Sequence, residues 1–169
     1  SFTCVGARCS RLSNNTATNQ YGGGVYASNS DVNLANSSVE SNRAYLGGGV
    51  YASGADSQVS LSGSLFARNN ATGGTGDGLR IHNSANLSGS GNTLAYNEAG
   101  GAATGRAIDL LSASGSLSCS VIWGHANTGF SGMNITYSDV QYGFSGTGNI
   151  NQNPLFVAPA SEDYHLQSA

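Results

Sequence analysis

The segment Gly22-Gly23-Gly24-Val25-Tyr26-Ala27-Ser28 recurs unchanged at Gly47-Gly48-Gly49-Val50-Tyr51-Ala52-Ser53. Weaker copies follow as Gly78-Leu79-Arg80-Ile81 and Arg106-Ala107-Ile108-Asp109-Leu110. A second pattern places Asn three residues and Ala five residues after an apolar anchor. It occurs as Leu12/Asn15/Ala17, Val39/Asn42/Ala44, Phe66/Asn69/Ala71 and Leu94/Asn97/Ala99, at successive offsets of 27, 27 and 28 residues. A degenerate fifth copy, Ile122/His125/Asn127, puts His in the Asn place. Self-similarity at a fixed short period is the mark of stacked units that cannot bury an apolar face alone.

The unit is built of strands. Seven before each anchor stand Val5, Val32, Val59, Leu87 and Gly115, and five before stand Ala7, Leu34, Leu61, Gly89 and Leu117. Three before stand Cys9, Asn36, Gly63, Gly91 and Cys119, which continues the alternation. Period two means one face turned inward. No stretch keeps helical periodicity, and the Gly and Asn punctuation would break a helix. A propeller blade needs about 40 residues, more than this unit offers. The expected fold is all-β: a single-stranded right-handed parallel β-helix of about five or six coils over 1–141, with a capping tail over 142–169.

Successive coils stack at about 4.8 Å, so equivalent residues form columns. Asn15, Asn42, Asn69 and Asn97 are expected to hydrogen-bond from coil to coil, and Asn also suits a left-handed turn. Val25, Val50, Leu79 and Ile108 join the anchors as the inward columns.

Composition narrows the function. Charged residues make up 9% of the chain against a usual share of about 25%. There is no Lys, the six Arg are scattered and the net charge is −3, which argues against a nucleic-acid partner. No apolar run is long enough to span a membrane. The chain begins at Ser1, which reads as a mature piece or an excised domain. Cys4 and Cys9 lie five apart and can form a small disulfide in an oxidising compartment, whereas Cys119 reads as a buried small hydrophobe. No Cys-x-x-Cys pair points to zinc, and no metal or other cofactor is expected.

The ending carries a further signal: Tyr137-Ser138-Asp139-Val140-Gln141, Gly148-Asn149-Ile150, Asn153-Pro154-Leu155-Phe156-Val157 and Asp163-Tyr164-His165-Leu166-Gln167. With the Asn-x-Ala and Gly-Gly-Gly-Val-Tyr units it resembles the β-helix repeat proteins of bacterial surfaces that carry a choice-of-anchor Q domain. The Gly-Gly-Gly units are also similar to those of polymorphic outer-membrane proteins. The resemblance implies a secreted or surface-displayed module. Its partners would be glycans or other surface proteins, and its open ends could self-associate. It implies no chemistry.

Parallel β-helices also host polysaccharide lyases and hydrolases, which need a calcium site with a base, or paired carboxylates. The six Asp and three Glu are dispersed, with only Glu162-Asp163 adjacent, so no catalytic residue is assigned. Gly76-Asp77-Gly78 and Gly124-His125 are fragments of polygalacturonase-like patterns without their partners. His125 reads as a turn residue and not as a catalyst. One outward column is a candidate sugar strip: Tyr26, Tyr51, Arg80 and Asp109, with His82 alongside. The plainer account of the same residues is a stacked tyrosine pair and a surface ion pair. Structural or adhesive module and carbohydrate-binding or carbohydrate-degrading β-helix are thus the two readings.

Overall fold

The structure is a computed structural model and describes residues 10–97, 105–126 and 130–167. Within them the chain winds into a parallel β-solenoid of about four turns. The Cys4–Cys9 pair lies outside the described residues. An anchor sheet contains Ser10–Ser13, Ser37–Glu40, Leu65–Ala67, Thr93–Ala95, Val121–Trp123 and Asp139–Val140. A tyrosine sheet contains Val25–Ser28, Val50–Ser53, Leu79–His82 and Ile108–Leu111. A serine sheet contains Val32–Ala35, Gln58–Ser62, Asn86–Ser90, Ser114–Ser118 and Met133–Thr136. A short sheet of Thr16–Tyr21, Arg43–Leu46 and Asn70–Ala71 fills the remaining side. Among the described residues the tyrosine sheet has four strands, in keeping with about four turns. The anchor sheet has six because Val121–Trp123 and Asp139–Val140 continue it past the last tyrosine-sheet strand in incomplete turns, which is why motif counting gives five or six coils.

The register is the one the repeat dictates. Leu12, Val39, Phe66, Leu94, Ile122 and Val140 are paired in series. They join Val50, Leu79, Ile108, Val59 and Leu87 in one continuous interior. Glycine within this interior makes room for larger neighbours. A Cβ on Gly115 would lie 2.7 Å from Met133 Sδ, and one on Gly89 would lie 2.9 Å from Leu117 Cδ2.

The asparagines form a continuous hydrogen-bonded column. Asn15 Nδ2 donates to Asn42 Oδ1 (2.9 Å), Asn42 Nδ2 to Asn69 Oδ1 (3.0 Å) and Asn69 Nδ2 to Asn97 Oδ1 (2.9 Å). Each acceptor oxygen also takes the backbone N–H of the Asn one turn earlier, at 3.0–3.1 Å. The remaining Nδ2 proton reaches a backbone carbonyl: Asn42 to Leu12 O, Asn69 to Val39 O and Asn97 to Phe66 O. Asn42, Asn69 and Asn97 are fully buried, so these bonds satisfy groups that no solvent reaches.

The left-handed turn, however, is made one residue earlier. Asn14, Ser41, Arg68, Tyr96 and Gly124 have φ between 51° and 77°, and the ladder residues do not have positive φ. The two tasks are incompatible at one position, because the ladder side chain must point inward while the left-handed residue turns its own outward.

The opposite end of the anchor sheet repeats the device. Asn36, Gly63, Gly91, Cys119 and Tyr137 are left-handed. The residue after each, Ser37, Ser64, Asn92, Ser120 and Ser138, is buried. From Ser64 onward each accepts the backbone N–H of its counterpart one turn earlier, and Asn149 closes the series by accepting from Ser138. Cys119 is therefore an exposed corner residue with a free thiol, not part of the core. The column three before the anchor is a corner and not a strand, so the expected strand divides into two.

Gly24, Gly49 and Gly78 explain the last glycine of each Gly-rich unit. A Cβ there would lie 3.1–3.4 Å from the side-chain amide of Asn42, Asn69 or Asn97, and under 3 Å from the next turn's backbone oxygen. The two sequence motifs are thus opposite sides of one contact.

After the last turn, Asn149 Nδ2 donates to Ile135 O and Phe144 O, and Phe144 packs edge-on against Phe130. The chain then folds back. Phe156–Ala158 and Asp163–Leu166 form an antiparallel hairpin around a 3-10 turn, Pro159–Ser161. Its Phe156 and Tyr164 pack on Ala67 and Ala95, with Trp123 and Tyr96 beside them. The hairpin is therefore a strap along the outer face of the anchor sheet. Arg68 latches it, donating Nε to Tyr164 Oη (2.9 Å) and Nη2 to Pro159 O (2.6 Å).

Asn69→Ala is expected to lower stability by about 3 kcal/mol, because it strands buried partners on both sides. Asn15→Ala, at the exposed end, should cost less than about 1 kcal/mol. Urea unfolding of both variants checks the order. Arg68→Ala should free the strap while the turns stay folded, read as faster proteolytic cleavage within 151–167 at unchanged far-UV circular dichroism.

Candidate ligand-binding face

The outward side of the tyrosine sheet brings the predicted strip together. In-register pairing places Tyr26, Tyr51, Arg80 and Asp109 in one column. Ser28, Ser53, His82 and Leu111 form the parallel column two residues on. Alternation put these side chains on the outside, but their exposure differs widely. Tyr26 is 56% exposed, whereas Tyr51 is 6%, Arg80 8% and Asp109 6% exposed.

The burial has a local cause. Tyr51 stacks with Tyr26 at 5.7 Å between centroids and 11° between planes, and with Tyr21 at 4.8 Å and 16°. Tyr21 was not singled out by the repeat, because it precedes the first Gly-Gly-Gly unit in a strand whose register shifts against its neighbour. Ring faces directed at one another are the favoured offset stack, and the column then turns ring edges and hydroxyls sideways to solvent. Tyr51 Oη lies 3.3 Å from His82 Nδ1. Burial, and secondarily the charge of Arg80, lower the His82 pKa and favour the neutral imidazole beside this phenol.

Further along the column the charged groups are consumed internally. Arg80 Nη1 is bonded to Asp109 Oδ2 and to Thr75 Oγ1, the latter at 2.7 Å. Arg106 Nη1 takes the other Asp109 oxygen at 2.8 Å. Burial lowers the Arg80 pKa, Tyr51 opposes this and Arg106 adds to it. Arg80 Nε is buried without a hydrogen-bond partner. Asp77, nearby and fully buried, accepts the backbone N–H groups of Ala71 (2.7 Å) and Arg106 (2.9 Å). Its carboxylate thus ties the end of the Asn70–Ala71 strand to Arg106 of the next turn.

His125 occupies the next rung of the asparagine column. Its ring nitrogens lie 3.0 Å from Asn97 O and from Leu94 O. Gln141 Oε1 then accepts the N–H groups of Gly124 (2.7 Å) and His125 (3.1 Å) and ends the series. Among the described residues no group of three or more His, Cys, Asp or Glu side chains comes together to hold a metal ion. Among the same residues no helix is long and apolar enough to cross a membrane.

What the face offers a partner is an aromatic end, Tyr21 and Tyr26, with His82 and Ser53 beside it. Asn83 Nδ2 donates to Ser53 Oγ at 3.1 Å and steadies that edge. No family model, curated protein or solved structure matches the chain.

Asp109→Leu should cost about 3 kcal/mol, since it leaves the Arg80 guanidinium buried without its counter-charge. The double change Arg80→Leu with Asp109→Leu should regain most of that loss. A double-mutant cycle in urea measures the coupling.

Proposed function

We propose that this chain is an extracellular structural or adhesive β-solenoid module of the kind displayed on bacterial surfaces, similar to the β-helix repeats that precede a choice-of-anchor Q domain. The observation that carries the reading is the exposed pair Tyr21 and Tyr26, resting on the buried ring of Tyr51. Tyrosine supplies contact area at little entropic cost, and here the backing ring holds it rigid. The inward polar groups are engaged in holding turn to turn, which suits a scaffold that presents its flat sides. A low-charge surface rich in Ser and Asn suits contact with glycans or with other surface proteins.

The second reading, a carbohydrate-binding or carbohydrate-degrading β-helix, is favoured by the same tyrosines beside the neutral His82. Their hydroxyl edges suit sugar hydroxyls.

Screening of the intact chain against immobilised glycans and surface-protein fractions separates these outcomes. Adhesion through this face predicts that Tyr26→Ala and Tyr21→Ala together weaken retention at least tenfold, about 1.4 kcal/mol, without changing the melting temperature by more than a few degrees. Retention unaffected by both changes would move the contact elsewhere. Release of oligosaccharides from a polyuronate by the purified chain would establish the degrading reading.

A further inference from the structure

The strap and the anchor sheet enclose a groove of about 390 Å³ on a different side of the solenoid from the tyrosines. Its floor is one register column: Ser38, Leu65 and Thr93 are paired in series on adjacent strands. Its wall is supplied by Glu162 and Tyr164 of the strap. We infer that this groove is a binding site for a single pyranose residue of a glycan. The inference stands independently of the tyrosine face.

The chemistry of the floor argues for a ring with hydroxyls at both ends. Strands repeat at about 4.8 Å, so Ser38 and Thr93 stand about 10 Å apart with Leu65 midway. All three point outward, since their neighbours Val39, Phe66 and Leu94 are buried inward. A pyranose laid on Leu65 sets its C–H face against the isobutyl group. Hydroxyls at opposite ends of the ring then reach Ser38 and Thr93, each through one hydrogen bond of about 2.8 Å. A volume of this size lies at the lower end of the range for small-ligand sites, about 300–1,000 Å³.

The wall adds an acceptor. Glu162 sits in the left-handed position that ends the 3-10 turn, with φ 64°. Its carboxylate lies 3.9 Å from Arg11 Nη2 and 3.9 Å from Arg68 Nε. Those contacts are too long to be hydrogen bonds, so they steady the charge without using up its lone pairs. A carboxylate with open lone pairs takes two neighbouring hydroxyls, and charged acceptors form the stronger bonds. Tyr164 is held in place by Arg68 and closes the wall with its ring. The site therefore exists only with the strap docked.

The test is a titration of the intact, isotope-labelled chain with free glucose, galactose, mannose and N-acetylglucosamine, followed by amide chemical shifts. Sorbitol, an open-chain polyol, is the control. At least one of the sugars should shift the amides of Ser38, Leu65, Thr93 and Glu162 selectively, with a dissociation constant of about 1 mM. Glu162→Gln and Thr93→Val preserve shape and should each weaken binding by about five- to tenfold. Their unliganded spectra show whether the fold is kept, and Ser38→Ala provides a third variant if either is altered. The inference is overturned if no sugar shifts these amides at about 100 mM, a hundred times the expected constant. It is equally overturned if sorbitol matches the sugars, or if the well-folded variants bind unchanged.

Discussion

The buried amide column is the contact on which the rest of the molecule depends. Each of Asn42 and Asn69 fills its side-chain hydrogen bonds with groups from adjacent turns. A buried amide left unsatisfied would be heavily penalised, so the column fixes the register of one turn on the next. That register decides which side chains meet everywhere else. It sets Gly24, Gly49 and Gly78 against the amides, where no larger residue fits. It also brings Arg80 beside Asp109, although they are far apart in the chain. The apolar interior, narrow and built mainly of Leu, Val, Ile and Ala, stabilises the stack but is a poor guide to register by itself.

Much of this was legible in the sequence because a solenoid writes its third dimension into its period. Four Asn-x-Ala copies predicted the amide column, and identical Gly-Gly-Gly-Val-Tyr units predicted that Tyr26 and Tyr51 would be neighbours. Alternation correctly placed Arg80 and Asp109 outside the strand core. It could not reveal that Thr75 and Arg106, arriving from loops of unequal length, bury them. A column is a property of the repeat, whereas exposure depends on what the irregular segments cover.

The second polar column was equally present in the letters, two residues before each anchor, as Ser37, Ser64, Asn92, Ser120 and Ser138. Its signal is weaker because Ser and Asn interchange there, and both are abundant in the chain. Reading the position three before the anchor as an inward strand residue hid the corner. Of the left-handed residues, Asn36, Gly63 and Gly91 are of types that favour this conformation but Cys119 and Tyr137 are not, so no single composition rule finds all five. The strap was beyond reach for another reason. Its contacts with Arg68 span more than ninety residues and occur once, outside any period.

All the amides of the asparagine column point the same way, oxygen toward the preceding turn and nitrogen toward the following one. Every rung is therefore interchangeable with every other, and nothing in the column itself counts how many there are. Among the described residues the column ends where His125 stands in the Asn place and Gln141 Oε1 accepts the last backbone N–H groups. Gain or loss of one whole unit leaves each surviving junction chemically unaltered. The length of such a rod is thus a trait free to vary without redesign of its interior.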